Sequence, residues 1–169
     1  YNNLGMMAYA NGDLATAENY FKQAASKNAN AAEVNTNLGL IELTKGNVAN
    51  AETYLSKSTG ANTANEALGN LYIKQGQYDR AVNAFGDAKT NSAAQAQILA
   101  KDYNKAKATL SAIKNPDAMT DYLMAIVGAR TNNASLVSSS IKSAIAKDPS
   151  MAEKAANDRE FAKYADAIK

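Results

Sequence analysis

The sequence predicts an all-α fold built from repeated pairs of helices. Alanine and asparagine are abundant, tryptophan is absent and only 7% of the residues are aromatic, a composition that suits packed, capped helices better than strands. Glycines occur in pairs seven residues apart, and the pairs recur at a nearly constant period. Capping residues also stand where several helices are expected to begin. We therefore expect almost no β-structure.

Three glycine pairs define an internal repeat with periods of 34 and then 30 residues. The pairs are Gly5 and Gly12, Gly39 and Gly46, and Gly69 and Gly76. Leucine precedes the first glycine of each pair, and alanine follows the second glycine by five residues. A large apolar residue comes four positions later, and these three residues are Phe21, Leu55 and Phe85.

The segment ALGNLYIKQGQYDRAVNAF, residues 67–85, is the best copy of this pattern. Leu-Gly, a loop glycine, alanine, a large apolar residue and a further small residue at these offsets resemble the tetratricopeptide repeat (TPR) family. The resemblance is strong over residues 1–89. It implies a right-handed α-solenoid of antiparallel helix pairs, with about five units and a C-terminal capping helix.

The repeat predicts a single domain over 1–169. Residues 1–31, 32–61 and 62–89 are clear repeats, 90–115 a shortened repeat, 116–149 a degenerate repeat, and 150–169 a C-terminal cap. KDYNKAKATLSAI aligns with GQYDRAVNAFGDA, but the alanine step is 25 residues, so about nine residues are missing from the fourth unit. The fifth unit has Ala125 and Asn132 in place of the two glycines. We expect the chain, which starts at Tyr1, to be a fragment of a longer protein.

Capping patterns predict several helix starts. A capping residue three positions before a glutamate occurs in three places, namely Asn30 with Glu33, Thr63 with Glu66, and Ser150 with Glu153. Pro116 is expected to open a helix, since proline is tolerated at the first helical position. We predict one or two closing helices, from Ser150 to about Ile168.

The glycines have a packing interpretation. Gly69 follows Leu68 on the first helix of its unit, where a missing side chain lets the second helix approach closely. Gly76 lies at the turn, where a positive φ is cheap for glycine. A spacing of seven matches neither the dinucleotide-binding nor the P-loop fingerprint, so no phosphate site is expected.

Composition argues against most kinds of chemistry. The net charge is +2, and the chain has no histidine and no cysteine, which removes the commonest general base, thiolate nucleophiles and the commonest metal ligands. The densest basic group, Lys101, Lys105 and Lys107, fits a solvated helix face better than a nucleic-acid site. We expect no cofactor, no metal, no nucleic acid and no direct insertion into a membrane, since no apolar run approaches a membrane span.

An enzymatic function is disfavoured as well. Asp102, Asp117 and Asp121 lie near the irregular fourth unit and are the weak candidates for a catalytic pair. The sequence Asn133-Ala134-Ser135 matches a glycosylation acceptor, although Asn133 fits a helix cap more simply. The prediction is a protein that is not an enzyme.

The resemblance implies a groove lined by the first helix of each repeat. Carried over by position, its residues are Asn2, Met6 and Tyr9 in the first unit, Thr36, Asn37, Leu40 and Leu43 in the second, and Glu66, Asn70, Ile73 and Lys74 in the third. They mix apolar side chains with amides, a surface suited to hydrogen bonding around a few buried anchors. The alternative is that the apolar side chains of Met6, Leu40 and Ile73 only pack against neighbouring helices or a missing upstream repeat.

Some TPR domains grip a C-terminal carboxylate with lysine, asparagine and arginine side chains. Asn37 occupies an asparagine position of that clamp, but the positions of the cations hold Asn2, Thr63 and Ala67. A clamp without cations cannot hold a carboxylate strongly, so this mode of binding is not predicted.

The functional prediction is a non-enzymatic scaffold that binds a protein or peptide partner in the groove. The alternative is a structural spacer or self-association module whose groove is occupied by its own chain. The asparagine- and alanine-rich repeats resemble TPR segments of bacterial envelope proteins, which implies a periplasmic or outer-membrane-associated location, with the cytoplasm as the alternative.

Overall fold

The computed structural model describes residues 1–28, 31–58 and 62–166, and over these ranges it contains helices and no strand. The all-α prediction is confirmed. The chain divides into two compact units, Tyr1–Lys74 and Gln75–Lys169, with the boundary inside the predicted third repeat. The single domain over 1–169 stays a prediction.

The first unit holds five helices among its described residues. They are α1 (Asn2–Ala10), α2 (Leu14–Lys27), α3 (Ala32–Lys45), α4 (Val48–Ser56) and α5 (Asn62–Lys74). Helix α1 packs on α2 and α3 packs on α4, and short connections make each pair antiparallel. Successive pairs meet where α2 contacts α3 and α4 contacts α5. A buried cluster at the first of these junctions consists of Ala17, Phe21, Val34, Leu38 and Ile41.

The second unit holds six α-helices and a 3-10 helix among its described residues. They are α6 (Tyr78–Phe85), α7 (Asn91–Leu99), α8 (Tyr103–Ser111), α9 (Ala118–Arg130), α10 (Ala134–Lys147), α11 (Met151–Asn157) and the 3-10 helix Arg159–Tyr164. One buried cluster joins α7, α8 and α9, and a second joins α9, α10, α11 and the 3-10 helix. Helix α7 has nine residues, whereas α3 has fourteen, so the fourth unit is short in its first helix.

The connection that follows the first helix of each repeat contains one residue with positive φ in the described chain. The five residues, with their φ angles, are Gly12 (80°), Gly46 (83°), Gly76 (75°), Lys101 (66°) and Asn132 (57°). Glycine adopts this backbone without steric cost, as predicted for Gly76 in the third unit. The fourth and fifth units keep the same turn after losing the glycine.

The close approach expected at the first glycine of a pair is present in the first two repeats. A Cβ added to Gly5 would lie 2.5 Å from the Phe21 ring, and one added to Gly39 would lie 2.6 Å from Leu55 Cγ. In the fifth unit α9 comes close to α10 at Gly128, where a Cβ would lie 3.0 Å from a backbone nitrogen of α10. Glycine therefore marks where two helices touch.

The helix starts differ from two of the predicted capping boxes. Thr63 lies inside α5, which begins at Asn62, so it is not the N-cap. Ser150 is the N-cap of α11, but it makes no capping bond, and its Oγ donates to Asp148 Oδ1 at 2.7 Å. Asn30, the capping residue of the remaining box, lies outside the described residues.

Helix α9 is opened by an aspartate. The prediction that Pro116 occupies the first helical position is wrong, because Asp117 is the N-cap and α9 begins at Ala118. Thr120 N donates to Asp117 Oδ1 at 2.8 Å and Asp117 N donates to Thr120 Oγ1 at 3.1 Å, which completes a capping box. Side-chain caps are also made by Asp13, Thr90, Asp102 and Asn133.

Within its described residues, 150–166, the C-terminal cap consists of two short elements, α11 and the 3-10 helix. The chain turns at Asp158, whose Oδ1 accepts from Glu160 N at 2.9 Å and starts the 3-10 helix. The rings of Phe161 and Tyr122 meet edge to face with centroids 5.4 Å apart, which packs this helix against α9. Ile168, the predicted end of the cap, lies outside the described residues.

Candidate protein-binding groove

Helices α1 and α3 of the first unit lie side by side and are linked near both ends. Asn37 Nδ2 donates to Asn2 Oδ1 at 3.0 Å, and the Tyr9 hydroxyl lies 3.5 Å from Thr44 Oγ1. Helix α3 also contacts α5. The first helices of three successive repeats therefore form one continuous surface in this unit.

A first depression of about 330 Å³ lies between α1 and α3. It is lined by Met6, Tyr9, Ala10, Phe21, Asn37 and Leu40. Four of these, Met6, Tyr9, Asn37 and Leu40, are predicted groove residues. The Met6 and Tyr9 side chains are 53% and 38% exposed, so large apolar surfaces face solvent beside the Asn37 amide.

A second depression of about 440 Å³ lies between α3 and α5. It is lined by Leu40, Leu43, Val48, Thr63, Glu66, Ala67, Asn70, Leu71 and Lys74. Glu66, Asn70 and Lys74 follow one another at intervals of four along α5, so they share one helix face, and all three are exposed. Leu40 lines both depressions and therefore makes them neighbours.

Three predicted groove residues line neither depression. Thr36 is only 5% exposed, and its Oγ1 donates to Ala32 O at 2.8 Å within α3. Asn2 is half-buried and its Oδ1 accepts from Asn37. Ile73 is half-buried on α5. The structure thus brings together eight of the eleven predicted residues, in two overlapping sets.

The remaining lining residues were missed by position-by-position transfer from the family. Phe21 belongs to a second helix and forms the floor of the first depression, where the gap between α1 and α3 leaves it at the surface of the cavity. Val48 opens α4 and is 39% exposed. Its repeat position is shared with Leu14 and Tyr78, and this recurrence of apolar residues is a signal that could have found it.

A third depression, of about 380 Å³, is charged. It is lined by Glu18, Lys22, Glu42, Lys45, Asn47, Asn50, Thr53, Tyr54 and Lys57. Lys22 Nζ lies 2.9 Å from Glu18 Oε1, and Lys45 Nζ lies 3.1 Å from Glu18 Oε2. Hydrogen bonds from Lys22 and then Lys45 hold the pKa of Glu18 below its ordinary value. Its carboxylate links α2 to α3.

Glu42 is the buried acid of this network, at 6% exposure. Its Oε2 accepts from Asn47 Nδ2 at 2.9 Å and from Asn50 Nδ2 at 3.3 Å, and its Oε1 lies 3.6 Å from Lys45 Nζ. A buried carboxylate needs such partners. The network therefore ties α3 to α4, and its donors and acceptors are matched.

The three aspartates weighed as catalytic candidates have structural partners. Asp102 caps α8 and Asp117 caps α9, and the backbone and hydroxyl donors of Thr120 lower the pKa of Asp117. Asp121 Oδ2 accepts from Ser143 Oγ at 2.8 Å and lies 2.8 Å from Lys147 Nζ. Across the described ranges, no group of three or more acids is placed to hold a metal ion.

Comparison with known proteins settles the family. Residues 2–66 match a family model described as "Tetratricopeptide repeat", and residues 65–92 match a second model of the same description. Together the two matches span more than half of the chain. The chain belongs to the tetratricopeptide repeat family. Both depressions in the first unit lie within the matched residues of this TPR chain.

The TPR fold is also found by structural comparison. The chain is similar to a tetratricopeptide repeat protein from Parabacteroides merdae ATCC 43184, with a TM-score of 0.76 and 20% sequence identity over 97% of this chain and 73% of that chain. A search of curated proteins gave no match. The α-solenoid class predicted from the sequence is confirmed. Among the described residues, no helix of this TPR chain has the length and hydropathy of a membrane span.

TPR repeats generally mediate protein–protein interaction, and the fold is typical of scaffolds without catalytic activity.

Proposed function

We propose that the first unit binds an extended segment of a protein partner along α1, α3 and α5. The observation that carries this proposal is the pair of adjoining depressions that share Leu40. One apolar side chain of the partner enters each depression, since large apolar anchors in pockets supply most of the affinity of protein interfaces. The polar groups around the depressions then fix the register of the bound segment.

The two depressions differ in what they offer a ligand. The first has aromatic and thioether walls, and the Asn37 amide beside them is suited to a main-chain group of the partner. The second has an aliphatic floor, and the exposed Glu66 and Lys74 stand on one face of α5. A bound segment that places an apolar residue in each depression and a polar residue opposite α5 is complementary to both depressions.

We propose no catalytic step. The chain acts as a scaffold, and the aspartates near the fourth unit serve as caps and ion-pair partners.

A displayed library of random peptides, selected on the immobilised chain, tests the groove. We expect selected peptides to carry two apolar residues, and their affinity to fall at least about tenfold for Leu40→Asp, a loss of about 1.4 kcal/mol. Asn70→Arg changes an exposed residue of the second depression. Because an exposed substitution should not unfold the chain, a lower affinity in this variant reports lost binding and not lost folding. The matched control is Met7→Asp, an exposed apolar residue that lines neither depression. Peptides that bind all variants equally overturn the proposal.

We also propose an envelope location, periplasmic or outer-membrane-associated, in a bacterial cell, with the cytoplasm as the alternative. The support is the resemblance of the asparagine- and alanine-rich repeats to envelope TPR segments. Fractionation of the producing cells, followed by immunoblotting, tests it, and recovery with the cytosolic proteins contradicts it.

A further inference from the structure

The third depression, lined by α2, the end of α3 and α4, presents basic groups to solvent although it contains charges of both signs. Its lining includes the carboxylates of Glu18 and Glu42 and the ammonium groups of Lys22, Lys45 and Lys57. The Glu18 and Glu42 side chains are 17% and 7% exposed, whereas those of Lys22 and Lys45 are 58% and 38% exposed. The acids are therefore largely covered, and the lysines reach the solvent.

The covered acids hold two of the lysines in place. The Glu18 carboxylate lies 2.9 Å from Lys22 Nζ and 3.1 Å from Lys45 Nζ, and the Glu42 carboxylate lies 3.6 Å from Lys45 Nζ. An ammonium group has three N–H donors, so Lys22 keeps donors for a ligand after it bonds to Glu18. Because these lysines are already positioned, a ligand that contacts them loses less binding free energy to the ordering of side chains.

The third lysine extends the basic surface along α4. Lys57 Nζ lies 5.8 Å from the centre of the Tyr54 ring, a cation–π contact that places this ammonium group beside the depression. Lys22 follows the turn glycine of its repeat by ten residues, and Lys57 follows the turn glycine of the next repeat by eleven. Helices α2 and α4 are the second helices of successive repeats, so the two lysines stand at nearly the same height. Their charges therefore act on the same part of a ligand.

We propose that this depression binds a short acidic segment of a protein partner. Charge complementarity identifies the occupant, because exposed ammonium groups on two helices attract anionic side chains. The lining along α4 runs from Asn47 to Lys57, about 15 Å at 1.5 Å per residue, which accommodates about four or five residues of an extended chain. The described residues that line it line neither of the other two depressions, so the site goes beyond the proposed function.

The polar groups of the depression favour a peptide over a nucleic acid. Asn50 Nδ2 donates to Glu42 Oε2, and Thr53 Oγ1 donates to Ala49 O, so the Asn50 and Thr53 oxygens remain as acceptors on an exposed face of α4. A peptide supplies main-chain N–H donors between its acidic side chains, whereas the phosphodiester backbone of DNA supplies none. The net charge of +2 is also small for a site that follows a run of phosphates.

Fluorescence anisotropy with two labelled peptides of about six residues tests the proposal. One peptide alternates glutamate with serine, and the other has glutamine in place of each glutamate. At about 50 mM salt we expect the glutamate peptide to bind at least about fivefold more tightly, because several exposed ion pairs, each weak, act together. Lys22→Gln combined with Lys57→Gln should remove most of this difference. Raising the salt to about 0.5 M should do the same.

Two further variants control for folding and for overall charge. Lys57→Gln alone leaves both ion pairs of Glu18 in place, so a loss of affinity in this variant does not come from a loosened α2–α3 contact. We expect it to lose part of the difference between the peptides. Lys105→Gln combined with Lys107→Gln removes the same number of charges from an exposed face of α8, and we expect it to leave the difference unchanged.

Four outcomes overturn the proposal. They are equal binding of the two peptides, unchanged binding in the variant of Lys22 and Lys57, an equal loss in the variant of Lys105 and Lys107, and tighter binding of a DNA oligonucleotide with the same number of charges. Peptides selected for the groove along α1, α3 and α5 should bind the variant of Lys22 and Lys57 with unchanged affinity. Their binding therefore reports separately on the proposed function.

Discussion

Lys101 holds the turn position that Gly76 holds one repeat earlier, and both residues have positive φ angles, 66° and 75°. Lys101 N donates to Ile98 O at 2.9 Å, so the turn is hydrogen-bonded despite its left-handed backbone. This conformation costs a residue with a Cβ about 1–2 kcal/mol, because the Cβ approaches the following carbonyl oxygen. The fourth unit therefore keeps the turn of the repeat at a cost that the glycine-bearing repeats avoid.

Replacing Lys101 with glycine is expected to stabilise the protein. Lys101→Gly removes the left-handed strain, which raises the free energy of unfolding by about 1–2 kcal/mol. The greater freedom of glycine in the unfolded chain lowers it by up to about 1 kcal/mol. The expected net gain is about 0.5–1 kcal/mol in the free energy of unfolding. Urea denaturation followed by circular dichroism measures it.

Two variants of the same turn position are the controls. Gly46→Ala introduces the strain that Lys101→Gly removes, and we expect a loss of about 1 kcal/mol. Asn132→Gly is expected to give no gain, because Asn132 Oδ1 accepts from Lys163 Nζ at 3.0 Å and asparagine tolerates a left-handed backbone. A loss of stability in Lys101→Gly contradicts the strain argument.

Gly39 tests the close approach of the two helices in the second repeat. A Cβ at this position would lie 2.6 Å from Leu55 Cγ and 3.4 Å from Ala51 O. Gly39→Ala therefore overpacks the α3–α4 contact, and we expect a loss of about 1–3 kcal/mol in thermal or urea unfolding. A gain in stability, as ordinary helix propensity predicts for Gly→Ala, would contradict this interpretation.

A double-mutant cycle separates the clash from other effects. Leu55→Ala alone leaves a cavity and costs about 2–5 kcal/mol. If the clash is with Leu55, the combination of Gly39→Ala and Leu55→Ala costs less than the sum of the two single changes, because the new methyl group occupies part of the cavity. Strictly additive losses place the strain elsewhere in the α3–α4 contact.

The sequence predicted the repeat because glycine is strongly favoured at a close helix contact and at a positive φ. Gly5 and Gly39 are required by a helix contact, and Gly46 is required by a positive φ. Each requirement favours glycine at a fixed spacing, although Lys101 and Asn132 hold the turn position in the fourth and fifth units. In the fifth unit the contact requirement has moved from the position of Ala125 to Gly128, three residues on, and the spacing no longer reveals it.

Helix caps were less predictable because each capping side chain has several acceptors and donors within reach. The Ser150 hydroxyl matches the capping pattern, yet it donates to the nearer carboxylate of Asp148. Asp117 follows a proline that the sequence favours as a helix start, but its carboxylate accepts from Thr120 N, so Asp117 is the N-cap and the helix begins after it. Which residue caps a helix therefore depends on competition among neighbouring donors and acceptors, and residue spacing alone does not reveal its outcome.

The candidate groove was predictable to the extent that repeat position fixes the direction of a side chain. Met6 and Leu40 share one repeat position, and both line a depression. Thr36 occupies another predicted position, but its hydroxyl bonds back to Ala32 O four residues earlier, an option that threonine has in any helix. The packing of neighbouring helices then decides the exposure of such a residue, and one helix alone does not reveal it.

Asp117 gives the second unit a stabilising contribution that depends on pH. The donors of Thr120 and Asn91 hold the pKa of Asp117 below its ordinary value. A group whose pKa is lowered by folding stabilises the protein above its unfolded pKa, about 3.9, and the stabilisation is lost as the pH falls through the folded pKa. We expect the stability difference between the natural chain and Asp117→Asn to be largest near pH 6 and to shrink below about pH 4.

Urea denaturation between pH 3 and pH 6 measures that difference. Asparagine still caps a helix, so Asp117→Asn should retain the start of α9, and the difference at pH 6 should stay below about 1 kcal/mol. Thr120→Ala removes a donor to the same carboxylate and should reduce the pH dependence without replacing the titrating group. A difference that is constant from pH 3 to pH 6 rules out this linkage.

Tyr122 connects α9 to the C-terminal cap and is expected to make the fold sensitive to alkali. The ring is 2% exposed, and its hydroxyl donates to Asp158 Oδ2 at 2.5 Å. Burial, and then the hydrogen bond to Asp158, raise the pKa of Tyr122 above its ordinary value. A raised pKa contributes stability that is present below the unfolded pKa, about 10, and is lost as the pH rises through the folded value.

Tyr122→Phe removes the hydroxyl and keeps the ring against Phe161. We expect it to cost about 1–2 kcal/mol near pH 7, because the Asp158 carboxylate loses a donor. Above pH 10 this loss of stability should diminish. The natural chain then loses the stability that depends on a protonated Tyr122 hydroxyl, whereas the variant has no hydroxyl to ionise. Tyr164→Phe, which removes a 3.3 Å bond to Ala129 O, is the matched control. If both variants unfold with the same alkaline dependence as the natural chain, the Tyr122 hydroxyl is not the group that links stability to high pH.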